Sequence, residues 1–349
     1  MYQNALKNAL KRTLFKKALL CAILFMLCGS GYQADAQNRK SLIEHCLNIL
    51  QQYDSAGHSI FQRVLQAPED YIICESKVSI MTSANLDEYL EGNTLEDLIY
   101  DLPTLVHEFS HAYTGNPYPY MLKHEICDVH KEYYLYFLTP QQEFFVEITQ
   151  TFPSKSLYKY IRQNGGITFR TSSYIDGNTS TQTHGIYGLL DEMNAYRLGA
   201  QTVLQLPAYF VDSGEKYEKW LINYLAHSQS GMIAYYEFRF FILSYLIYAK
   251  THQASIFEDI VANKPFVKAF LEIEESFRKT VKDYRTLCRT IIAKAQKQNS
   301  LFVITASGIF YDKVGTPLLE NNEDYVKLQQ EMKKPEYARM MHSLKKAIQ

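Results

Sequence analysis

The stretch Leu105-Val106-His107-Glu108-Phe109-Ser110-His111-Ala112-Tyr113 constrains this chain more than any other. Leu102, Leu105, Val106 and Phe109 recur at helical spacing, so the segment is expected to be a helix with one buried face. Two histidines four residues apart project from one side of such a helix. Both imidazoles can then reach a single Zn²⁺ at about 2.0–2.1 Å, and the glutamate after the first histidine lies beside the ion, where it can take a proton from water. The competing reading is a core helix with two satisfied histidines and a solvated glutamate. The metal reading demands more of the fold: a rigid helix, and a third ligand brought from elsewhere.

The pattern His107-Glu108-Phe109-Ser110-His111 resembles the zincin superfamily of metallopeptidases. The metzincin branch is excluded, because its third histidine would stand six residues after His111, at Pro117. A gluzincin-like arrangement is left, in which a glutamate on a later helix completes the site. The segment Gly185-Ile186-Tyr187-Gly188-Leu189-Leu190-Asp191-Glu192-Met193-Asn194-Ala195-Tyr196 carries an acidic pair in an apolar frame, an odd place for charge unless something pairs with it. Glu192 is similar to the glutamate of the gluzincin NExxSD pattern, with Asp191 where the Asn stands and Tyr196 where the Asp stands. The resemblance implies that His107, His111 and Glu192 hold Zn²⁺ and that Glu108 is the general base. For the developing oxyanion it implies a Tyr or His donor: His184 first, with Tyr187, His227, Tyr235 and Tyr236 as alternatives.

Two features depart from the pattern. Tyr196 cannot be the carboxylate that orients a ligand histidine through its outer nitrogen, and the 81 residues from His111 to Glu192 exceed the spacing in thermolysin-like enzymes. Other carboxylates compete for the third position, namely Asp191, Glu143, Glu147 and Glu237. Asp191 lies about 100° around the helix from Glu192, so at most one of the two faces the metal well; on this reading Asp191→Ala changes zinc affinity little.

The expected activity is that of an exported zinc metallopeptidase acting on peptide or amide bonds of a peptide or protein substrate. The alternative is an inactive zincin fold kept as a binding or scaffold protein of the cell envelope, which would have no need of Glu108. A helical envelope protein without metal is a third, weaker option. A formal net charge of -1 gives no basic face for nucleic acid.

The first 36 residues have the form of an export signal. Lys7, Lys11, Arg12, Lys16 and Lys17 precede the apolar run Ala18 to Cys28, and Ala34-Asp35-Ala36 gives the small-x-small pattern cleaved by a signal peptidase. Eleven apolar residues are too few to span a bilayer, which needs roughly 20, so no stable membrane span is expected after cleavage. The product would be secreted or periplasmic. Lipid attachment at Cys28 is disfavoured by Leu27 before it. Cys46, Cys74, Cys127 and Cys288 are left, enough for up to two disulfides or for buried free thiols.

The fold class expected is α+β and mostly helical, zincin-like, with a small sheet, the HExxH helix and a helical C-terminal half. Residues 37–210 are read as the catalytic region and 211–349 as a helical subdomain, with the cleft between the HExxH helix and that half. Along the chain, Ser41 to Gln66 reads as helices broken at Ser55-Ala56-Gly57 and Tyr71 to Met81 as a strand. Leu95 to Tyr113 reads as a helix with a break or start near Pro103, closed by Gly115-Asn116-Pro117. Tyr133 to Leu138 and Phe144 to Thr149 read as a hairpin, and residues 163–183 as a long irregular loop. Then come a helix from Ile186 to Leu198 stopped at Gly199, a buried helix over Met232 to Lys250, a strand over Leu301 to Tyr311, and one amphipathic helix from Glu320 to Ile348.

Overall fold

A computed structural model describes residues 39–80, 86–177, 179–212, 221, 224–298, 302–305, 308–311, 314–317 and 323–349. The signal read at 1–36 lies outside the described residues. The architecture is mostly helical, with three small antiparallel sheets in place of the single one expected.

Helix α1 (39–53) and α2 (Ser55–Leu65) meet at Asp54, whose carboxylate caps α2 by accepting the Gly57 amide at 3.1 Å. The expected strand over Tyr71 to Met81 is instead a hairpin, β1 (Asp70–Ile73) and β2 (Ser76–Ser79). Cys74 and Glu75 between them take positive φ of 45° and 74°, the paired left-handed turn that reverses a two-residue hairpin. A disulfide from Cys74 to Cys127 ties this turn to the chain ahead of the next hairpin, while Cys46 and Cys288 stay as buried thiols.

After the short α3 (Leu86–Tyr89), α4 (Leu95–Thr114) carries the HExxH residues. Thr94 caps it by accepting the Asp97 amide, and Glu96 and Asp97 in the first turn complement the helix dipole. Pro103 lies inside α4 and neither starts nor breaks it. It costs one intrahelical hydrogen bond. Helix α5 (Tyr118–Lys123) leads into the hairpin β3 (Tyr133–Thr139) and β4 (Gln142–Glu147), close to the expected one.

The expected loop over 163–183 has short helices in it. α6 (Tyr158–Asn164) ends at its start, and α7 (Thr171–Tyr174) and α8 (Ser180–Thr183) lie within it. Helix α9 (Gly185–Gln205) begins at Gly185, whose φ of +52° turns the chain into the helix. It runs through Gly199 instead of stopping there. A Cβ at Gly199 would lie 2.6 Å from the Pro103 carbonyl oxygen, so this glycine is where α9 and α4 touch backbone to backbone.

α9 is buried along nearly its whole length and fixed by polar contacts from several sides. Asn194 and Arg197 both donate to the Phe137 carbonyl on β3 at 3.0 and 2.8 Å, Tyr136 donates to the Tyr187 carbonyl at 2.9 Å, and Thr202 donates to Asp54 at 2.6 Å.

The rest is helical: α10 (Pro207–Asp212), α11 (221 and 224–227 of it described), α12 (Gln229–His252), α13 (Ala254–Ala262) and α14 (Lys264–Gln298). The expected strand over Leu301 to Tyr311 is two strands of a three-stranded meander, β5 (Phe302–Thr305), β6 (Gly308–Tyr311) and β7 (Val314–Pro317). The final amphipathic stretch is two helices, α15 (Glu323–Glu331) and α16 (Pro335–Ala347), the second opening at Pro335, whose missing N–H costs no intrahelical bond in a first turn. One hydrophobic cluster joins α4, β3, α9, α12 and α14. No helix among the described residues is long and apolar enough to cross a membrane.

Candidate metal centre

His107 and His111 leave α4 on the same face, their ring centroids 4.8 Å apart and their planes crossed at 84°. Across from them α9 presents Glu192. The two Nε2 atoms are 3.2 Å apart, and the Glu192 Oε2 lies 3.4 Å from His111 Nε2 and 3.9 Å from His107 Nε2. Ligand bonds of about 2.0–2.2 Å at tetrahedral angles would space the donor atoms roughly 3.3–3.5 Å apart. The three atoms therefore already sit near the corners of one face of a metal coordination tetrahedron, and this buried His-His-Glu group could hold a metal ion.

Polar satisfaction points the same way. Glu192 Oε2 is buried and accepts no hydrogen bond of acceptable geometry. A buried carboxylate left so costs several kcal/mol unless a positive group faces it, and the two Nε2 lie 3.4 and 3.9 Å from it. His107 is held well below its ordinary pKa by burial, helped by His111 and by the Arg170 cation, so its ring is neutral as a ligand requires. For His111, burial acts downward but the Asp191 and Glu192 carboxylates outweigh it and hold the ring well above the ordinary value. Two carboxylates draw positive charge to this spot, and a proton or a metal ion can supply it.

Asp191 is not a bystander. Its Oδ2 lies 2.7 Å from His111 Nδ1, and by accepting that N–H it leaves the lone pair on Nε2, the atom facing the other donors. This contact argues against the sequence reading in which Asp191→Ala changes zinc affinity little. The 100° between adjacent helix positions turns Asp191 away from the space among the three donor atoms and onto the outer nitrogen of His111. The other competitors are engaged elsewhere: Glu143 with Arg63, Glu147 with Lys131 and Glu237 with Arg170.

Glu108, half-buried, is 3.9 Å from His107 Nε2. Burial raises its pKa, His111 draws it down, and Glu192 and Asp191 push it up again; the net direction is upward. Glu108 and His107 line a cavity of about 310 Å³. Its walls come from α4 at Tyr100, Pro103 and Thr104, from α9 at Tyr196 and Val203, and from Phe169, Arg170 and Tyr174 in the loop before α9. His227, Ser228 and Ser230 close it from the C-terminal half. The cavity lies between α4 and the residues that lead into α12.

His184, the first sequence choice for an oxyanion donor, precedes Asp191 by seven residues, about 10 Å along the helix. Its Nδ1 is 2.5 Å from the Tyr134 hydroxyl and its Nε2 is 3.5 Å from Glu132, and it does not line this cavity. Of the alternatives, Tyr187 bonds Thr149 and Asn263, Tyr235 bonds Glu274, and Tyr236 packs on Tyr325. His227 reaches the cavity and stacks on Tyr100. Residues that the sequence did not single out are Tyr174, whose hydroxyl is 3.0 Å from that of Tyr196, and Arg170, whose buried guanidinium pairs with Glu237 at 2.6 Å. One tyrosine among 28 carries no distinguishing signal.

No protein-family model, curated protein or solved structure matches this chain.

Proposed function

We propose that this chain is a zinc-dependent hydrolase of peptide or amide bonds, with His107, His111 and Glu192 as the metal ligands and Glu108 as general base. The observation that carries the reading is the near-tetrahedral spacing of three donor atoms beside a glutamate that belongs to none of the ligand positions. Neutral imidazoles and one carboxylate are a donor set suited to Zn²⁺, and three protein ligands leave a fourth position open, as catalytic sites require. A structural site would close that position with another side chain.

Bound there, zinc would supply the charge that acidifies a water and polarises a carbonyl. The rest falls to the protein. Glu108, held above the usual carboxylate range mainly by burial, is placed to accept the proton of the attacking water and pass it to the leaving nitrogen. Asp191 keeps His111 in the tautomer that presents Nε2. The cavity beside His107 and Glu108 gives the substrate a place next to both. Export by a cleaved signal belongs to the same proposal, and a disulfide at Cys74–Cys127 suits an oxidising compartment.

The test is hydrolysis of a peptide library by the zinc-loaded protein, with the Glu108→Gln protein alongside. Cleavage by the first and not the second supports the reading. Cleavage at equal rates by both, or by neither, defeats it.

A further inference from the structure

The two histidines are held in different ways. His111 has a carboxylate at its outer nitrogen, but among the described residues no carboxylate or carbonyl oxygen holds the outer nitrogen of His107. Besides His111 and Glu192, which face its Nε2, the ring meets Tyr196, one turn after Glu192 on α9. The centroid of Tyr196 lies 4.4 Å from that of His107, with the planes at 70°, an edge-to-face contact.

Tyr196 is itself held from three directions. The Arg170 guanidinium sits over its ring at 4.4 Å, a cation–π contact in a largely dry setting. Its hydroxyl meets that of Tyr174 at 3.0 Å, and its ring packs on Phe238 of α12. Arg170 cannot drift, because Glu237 accepts its backbone N–H at 3.1 Å and its guanidinium at 2.6 Å, while the Ser230 carbonyl accepts a second guanidinium nitrogen at 2.8 Å. The sequence therefore runs from α12, through a buried ion pair and an aromatic ring, to a metal-ligand candidate.

We propose that Tyr196, clamped by Arg170, is the positioning residue of His107, and that it does by ring packing what Asp191 does for His111 by a hydrogen bond. The inference rests on the metal-site reading above. Ring packing fixes the plane of an imidazole without adding negative charge behind it, so His107 would be held in orientation while staying a weaker electron donor than His111. The clamp also lines the cavity beside Glu108, through Arg170, Tyr174 and Tyr196. A substrate seated there would press on the same ring that steadies the ligand.

The experiment compares Tyr196→Phe, Tyr196→Leu and Tyr196→Ala with wild type in two measurements. The first is zinc affinity by competition with a chromophoric chelator. Tyr196→Phe should bind as wild type does, since the ring is kept, and Tyr196→Leu and Tyr196→Ala should bind about 10-fold or more weakly, as loss of a ligand's support does. The second is the NMR signal of the His107 ring protons in the metal-free protein. The ring current of Tyr196 should shift them in wild type and in Tyr196→Phe, and the shift should vanish in Tyr196→Leu. Unchanged zinc affinity in Tyr196→Leu with an intact fold overturns the proposal, and so does a Tyr196→Phe protein as weak as Tyr196→Ala. A wild type that binds no zinc yet shows the Tyr196-dependent shift overturns the metal reading while leaving the ring contact in place; absence of that shift removes the contact on which this inference stands.

Discussion

Replacing Asp191 separates a supporting role from a ligand role, and its size can be worked from the structure. The residue is 5% exposed, and its Oδ2 accepts from His111 Nδ1 at 2.7 Å. A hydrogen bond to an ionised group contributes about 1.5–3 kcal/mol. Loss of an outer partner of a metal-ligating histidine usually costs 10- to 100-fold in affinity, which is about 1.4–2.8 kcal/mol. The two estimates agree, so Asp191→Ala is expected to weaken zinc binding by one to two orders of magnitude. Asp191→Asn, which can still accept from Nδ1 but carries no charge, should fall near the lower end. Glu192→Ala would remove a proposed ligand and should be weaker than either. The assay is chelator competition on the three proteins at one pH, with thermal melting to confirm that each is folded. Wild-type zinc affinity in Asp191→Ala, within about twofold against the 10- to 100-fold expected, would refute the second-layer role and restore the reading in which Asp191 is idle. Affinity as weak as that of Glu192→Ala would make Asp191 itself a ligand.

Glu108→Gln is expected to keep the fold and the zinc while lowering the rate of hydrolysis by roughly 10²–10⁴, the usual worth of a general base; metal content and steady-state kinetics on the same sample check both halves. The Cys74–Cys127 bridge, spanning 53 residues, should contribute about 4 kcal/mol through restriction of the unfolded chain. Denaturant unfolding of the Cys74→Ser, Cys127→Ser double variant measures it, and peptide mapping without reductant should recover the linked pair. Burial, with the charge of Asp101 added, pushes the Cys46 thiol up to about 12, and burial pushes that of Cys288 up to about 11. Both are raised, so the folded state keeps protons that the unfolded chain releases, and stability should be full below about pH 9 and decline as pH rises toward 11–12. Neither thiol should react with a thiol reagent in the native protein, and both should react after unfolding, which a colorimetric thiol count decides.

The site was more legible in the sequence than the fold around it. His107, Glu108 and His111 are local, and their geometry follows from helix periodicity alone. Glu192 is readable because a carboxylate in an apolar frame signals a hidden partner, and α9 sets it against the two histidines. What the sequence hid were tertiary facts. Pro103 and Gly199 look like helix breakers by propensity, yet each lies inside a helix, because the two helices need close backbone approach at that point and tertiary packing outweighs local preference. The turn at Cys74-Glu75 takes two positive φ values without glycine or asparagine, so nothing in the sequence separates this hairpin from one strand. The Arg170–Tyr196 clamp joins residues from three segments and leaves no trace in spacing.

Metal content tests the central claim most directly. The purified protein, from residue 37 onward and refolded with zinc present, should carry about one zinc per chain by plasma emission analysis and by native mass spectrometry. His107→Ala, His111→Ala and Glu192→Ala should each lose it while keeping their helical circular dichroism. A folded wild type that stays metal-free under those conditions would contradict the account.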